Sequence, residues 1–96
     1  MSFNKWNWVR ECEEEVMRQL QDGTITQEEE SWELVFSMIS DATTYSYDCF
    51  DIIKELNYTH FEEAIFDCKD IYGLAYNALY EFALENVDVD NMVRNV

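Results

Sequence analysis

Proline is absent from these 96 residues, and glycine occurs only twice, at Gly23 and Gly73. That scarcity of chain-breaking residues suits a compact helical domain. Histidine occurs once, whereas a zinc centre draws on clustered His and Cys ligands. Cations are scarce as well: six Lys and Arg face 21 Asp and Glu, a net charge of −15. That imbalance argues against direct contact with DNA, RNA or an anionic membrane surface, all of which would repel it. No apolar stretch approaches the roughly eighteen residues of a membrane span. The opening MSFNKWNWVRE also lacks the apolar run of a secretion signal. Cys12, Cys49 and Cys68 show no CxxC spacing, and they read as small core residues of a reduced, cytoplasmic protein.

What is present suffices for a core. Hydrophobic residues make up 48% of the chain and aromatics 16%, above the level of disordered acidic segments. The length fits one acidic domain over residues 1–96. Self-repulsion among the acids is a cost this fold must carry.

Periodicity predicts an all-α protein, a compact bundle of four to five helices. The first runs from about Asn4 to Gln21 and stops at Gly23, with Trp6, Val9, Val16, Met17 and Leu20 on its inner arc. Glu13 falls inside that arc. Arg10 with Glu14, and Glu14 with Arg18, are four-apart pairs on the wet side. Thr26-Gln27-Glu28-Glu29 reads as a capping box, with Glu29 reaching back to the Thr26 amide. Trp32, Val35, Phe36 and Ile39 then face inward, and this helix ends near Ser40. A third helix is expected from about Thr44 to Leu56, burying Tyr45, Cys49, Ile52, Ile53 and Leu56. Thr59-His60-Phe61-Glu62 is a further capping box, opening a segment whose apolar pattern runs on through Ile71, Leu74, Ala75, Ala78, Leu79 and Phe82. One helix of about 27 residues or two helices bent near Lys69 both fit that pattern, and ordinary helix lengths favour the break. The tail NVDVDNMVRNV adds a short last turn.

The acids carry the functional expectation. Asp48, Asp51 and Glu55 share one outward ridge, and Glu63, Asp67 and Asp70 share another. Like charges three and four apart destabilise a helix, and Lys54 and Lys69 relieve them little. A merely soluble surface mixes both signs. The alternative is an acidic globule whose first-turn Glu28, Glu29 and Glu62 complement helix dipoles. Duplex DNA carries one charge per about 1.7 Å, so fifteen charges correspond to roughly 25 Å of duplex. Tyr72, Tyr76 and Tyr80 recur every four residues at the edge of an apolar face. They are either partner anchors or a row packed on a neighbouring helix. Homodimerisation through tyrosine or tryptophan stays open.

Catalytic and metal motifs are missing. There is no phosphate-binding glycine loop, no Ser-His-Asp set and no HExxH. His60, Glu63 and Cys68 are badly spaced for one ion, and DVDN at 88–91 lacks the glycine and closing glutamate of an EF-hand. A non-enzymatic protein without cofactor is therefore expected.

In size, charge and aromatic content the chain resembles the small acidic DNA mimics of phages and mobile elements, among them anti-restriction and anti-CRISPR proteins. The resemblance implies occlusion of a basic nucleic-acid channel by carboxylates standing in for phosphates. The partner would be a nuclease or another basic nucleic-acid-binding protein, and Asp48, Asp51, Glu55, Glu63, Asp67 and Asp70 the contacts. A second, local resemblance links THFEE at 59–63 and DIY at 70–72 to the immunity proteins of colicin-type nucleases, although that family's aromatic pair followed by proline is absent here. The competing class is an acidic adaptor or regulatory subunit that binds a basic protein unrelated to DNA.

Overall fold

Asn4 starts the first helix. In the computed structural model, which describes residues 2–56 and 70–95, its side-chain oxygen accepts from the Trp6 and Asn7 amides at 3.1 and 3.0 Å. Two amides left open at the helix start are thereby satisfied. Helix α1 spans Lys5–Asp22 and stops at Gly23, whose φ of 81° places it in the left-handed region. The Gly23 amide donates back to the Leu20 carbonyl, closing the helix where a residue with a Cβ would be strained.

The inner face of α1 carries Trp8, Val9, Cys12, Val16 and Leu20. Trp6, expected to lie inward, is 58% exposed. The buried arc is centred nearer Trp8, so Trp6 rests only its edge on Phe82, with ring centroids 5.5 Å apart. The four-apart pairs expected on α1 are also replaced. Arg18 bonds Glu15 and Asp22, and Arg10 donates to Asn7.

Helix α2 spans Glu28–Asp41. Its capping glutamate is Glu30 rather than Glu29: Glu30 Oε1 accepts from both the Thr26 amide and the Thr26 hydroxyl at 3.2 Å. The helix begins one residue later than the box would set it, so the reciprocal contact slips by one. Ser31, Val35 and Ile39 form the buried stripe, and Ser31 satisfies its hydroxyl on the Gln27 carbonyl.

A π-helical turn, Ala42–Ser46, continues α2. It displaces the expected start of the third helix at Thr44. Thr43 is buried, and its hydroxyl bonds the Ile39 carbonyl at 2.9 Å while the Tyr47 amide reaches the Ala42 carbonyl at 3.1 Å. This side-chain bond and the wide five-residue closure hold the turn open. Tyr45 consequently projects outward, 84% exposed, rather than inward as expected. Tyr47 takes the inward place and meets Phe3 edge-on at 5.1 Å.

Helix α3, Cys49–Glu55, buries Ile52 and Ile53. Helix α4, Ile71–Asn86, buries Leu74, Ala75, Ala78, Leu79 and Ala83. Asp70, at φ −122° and ψ 95°, stands outside α4 as its N-cap. One continuous helix running on through Asp70 is therefore excluded, while the residues that would form the helix before it lie outside those described. Helix α5, Val89–Arg94, realises the expected last turn.

The described residues thus form an all-α bundle of five α-helices and one π turn, with no strand among them. α3 packs on α4, while α2 touches α1, α4 and α5. Fully burying each Val, Leu or Ile contributes about 1.5–3 kcal/mol, and Val16, Val35, Ile39, Ile52, Ile53 and Leu79 are all fully buried. The described residues pack as a compact bundle with extents of 44 × 23 × 18 Å. No helix among the described residues is long and apolar enough to cross a membrane.

Candidate protein-interaction surface

Many of the acids occupy helix starts. Asp48 accepts from the Phe50 amide at 2.8 Å, and Asp70 from the Tyr72 amide at 3.1 Å. Asp88 caps α5 in the same way through the Asn91 amide. Glu28, Glu29 and Glu30 fill the first turn of α2, Asp51 that of α3 and Asp90 that of α5. Negative charge is favourable at each of these places because the amides there are unpaired and the helix dipole is positive.

The candidate contacts separate accordingly. Asp48 and Asp70 are helix caps, brought together around Cys49: burial, followed by the charges of Asp48 and then Asp70, pushes the Cys49 thiol up from its ordinary value. Asp51 is exposed and Glu55 half-buried on α3. Glu63 and Asp67 lie outside the described residues, as do His60, Phe66, Cys68 and the second capping box. Among the described residues no group of three or more His, Cys, Asp or Glu could hold a metal ion.

Much of the charge that helix starts do not explain gathers along α1 and the outer side of α2, with Glu55 on α3 and Glu81 and Glu85 on α4 apart from it. Glu11, Glu14, Glu15 and Asp41 line a groove between these helices, with Leu34 and Met38 beside them. Arg18 is the cation of this groove, and it is tied to Glu15 and Asp22. Hydrogen bonds from Arg18 and then Gln19 hold the Glu15 carboxyl down at about 2. Glu11 and Glu14 are exposed. Sequence reasoning passed over this face because its acids sit on two different helices, and which faces of α1 and α2 meet is set by their packing. The signal was Glu11, Glu14 and Glu15 at helical spacing beside the single Arg18.

The tyrosine row divides in two. Tyr72 and Tyr76 stand 6.3 Å apart, and the Thr44 hydroxyl donates to the Tyr72 oxygen at 3.2 Å. That hydrogen bond, accepted by the phenol oxygen, lowers the Tyr72 pKa from its ordinary value. Tyr80 joins a ladder on α2: it lies 5.1 Å from Phe36, which stacks on Trp32 at 5.9 Å. The row is thus packed largely against its neighbours. Leu84 extends it by one more four-residue step and is 46% exposed. Together Trp32, Phe36 and Leu84 floor a second groove of about 690 Å³, edged by Gln27, Glu28, Glu29 and Glu33.

Comparison with protein-family models, with curated proteins and with solved structures returns no match. Function must therefore be argued from the surface itself.

Proposed function

We propose that this chain is an acidic protein inhibitor that occupies the basic nucleic-acid site of a nuclease or other nucleic-acid-binding protein, acting in the cytoplasm and by contact rather than catalysis. The observation that supports this most is the unneutralised α1–α2 face, where Glu11, Glu14 and Asp41 stand beside one arginine already paired within its own helix. The described residues carry 18 Asp and Glu against five Lys and Arg, a net charge of −13, which along a 44 Å axis amounts to one per roughly 3.4 Å. That is close to the spacing of about 3.4 Å along one phosphate strand and sparser than the duplex value of about 1.7 Å. The charge is enough to steer a basic partner at long range. Asp51 and Glu55 add to the field from α3, whereas Asp48 and Asp70 serve chiefly as caps.

The test is affinity capture from a host lysate, with and without competing duplex DNA. Nucleases or DNA-binding complexes that DNA displaces support the proposal, and partners indifferent to DNA contradict it. One observation favours a second reading, an adaptor for a basic protein unrelated to DNA. The Trp32–Phe36–Leu84 groove offers apolar area that phosphate mimicry alone does not use.

A further inference from the structure

We infer that the groove between α2 and α4 receives a basic amphipathic helix of a partner protein, its apolar side chains on Trp32, Phe36 and Leu84 and its Lys or Arg residues against Glu28, Glu29 and Glu33. The floor is a pre-built aromatic surface: Trp32 and Phe36 are stacked, and Tyr80 braces Phe36 from α4. It therefore loses little side-chain freedom on binding. Leu84 opens the α4 side, and the cavity of about 690 Å³ has room for several apolar side chains. The polar edge carries three carboxylates and no cation.

That edge decides the occupant. A second copy of this chain would bring a further net charge of −15 to the same rim, so like-charge repulsion opposes self-docking. A neutral apolar helix would leave the carboxylates partly desolvated without partners. A helix with apolar anchors on one stripe and cations beside it satisfies both parts of the site, the helix-in-groove mode of recognition. This inference rests on the partner being basic, but not on mimicry of DNA.

The experiment titrates the full chain with a synthetic Leu/Lys amphipathic helix and, separately, with oligolysine, following tryptophan fluorescence and amide shifts by NMR. Leu84→Glu is the deciding variant, because it adds an attractive charge while removing apolar floor. The site is exposed, and circular dichroism checks that the variant is folded. The amphipathic helix should shift amides of α2 and the end of α4, and Leu84→Glu should weaken it about tenfold while leaving oligolysine binding equal or tighter. Glu29→Lys with Glu33→Lys should weaken both ligands. Amphipathic-helix binding that survives or tightens in Leu84→Glu overturns the inference, as do shifts confined to α1. Sedimentation showing a dimer that Leu84→Glu dissolves also overturns it, in favour of a second copy. Failure of DNA to compete for the captured partner would refute mimicry and leave these outcomes unchanged.

Discussion

Replacing Asp48 tests whether the acids at helix starts serve the fold or a partner. Its carboxylate accepts from the Phe50 amide at 2.8 Å and begins α3, a helix of only seven residues. A helix this short does not persist on propensity alone, so its starting contact and its packing must hold it. Asp48→Ala removes the acceptor and should cost about 1 kcal/mol, the usual worth of such a cap. Loss of the favourable charge at the helix start adds about 0.3–1 kcal/mol. Relief of self-repulsion in a protein of net charge −15 acts in the opposite direction. Asp48→Asn keeps the acceptor and loses only the charge, so it should be much the milder change. For a domain of this size, 1 kcal/mol lowers Tm by about 4–8 °C. Thermal and urea unfolding of Asp48→Ala, Asp48→Asn and Asp51→Ala would measure the three effects, with Asp51→Ala expected within about 0.5 kcal/mol of the parent. Equal losses in the Ala and Asn variants, or a gain for Asp48→Ala, would refute the capping account.

Other outcomes follow from the same structure. Gly23→Ala should destabilise by about 1 kcal/mol in urea unfolding, because φ is 81° although no atom lies within 4 Å of the added Cβ. Ile39→Ala, at a fully buried position, should cost about 2–5 kcal/mol. Arg18→Gln should return the Glu15 carboxyl from about 2 toward the ordinary glutamate range, read by carboxyl-resolved NMR titration. Cys12 is fully buried, and that burial, with Glu11 and Glu13 adding to it, pushes its thiol up to about 12. The folded state thus keeps a proton that the unfolded chain releases near pH 9. The stability margin over Cys12→Ala should hold at neutral pH and shrink as pH rises from about 9 toward 12.

Where helical spacing and a strong punctuating residue coincided, the fold could be read from the chain. Asn4 and Gly23 bound α1, and Val35 with Ile39, and Ile52 with Ile53, are the buried pairs expected of α2 and α3. Local propensity failed where a side-chain bond to the backbone, or packing, overrides it. The Thr43 hydroxyl on the Ile39 carbonyl favours a π turn that no pattern announces, and that turn sends Tyr45 outward. Trp6 and Trp8 are both compatible with an apolar arc, and packing against Phe3 selects Trp8. The candidate surface was harder to read. A wheel shows that Asp48, Asp51 and Glu55 share a ridge, but not that Asp48 is a cap. The α1–α2 groove joins Glu11 to Asp41 across a fold, which spacing along one helix cannot express. Leu84 did lie on the four-residue row of Tyr72, Tyr76 and Tyr80, and its apolar character there was the available sign of the second groove.

The claim that carboxylates take the place of nucleic acid is tested most directly by a competition measurement. Duplex binding by a captured nuclease or DNA-binding partner is followed at increasing concentrations of this chain and constant salt. The account predicts that the apparent Kd for DNA rises in proportion to the chain added, with the same saturation plateau. It further predicts that Glu11→Lys, Glu14→Lys and Asp41→Lys together abolish that rise. A ternary complex, with the DNA affinity of the partner unchanged, would contradict it.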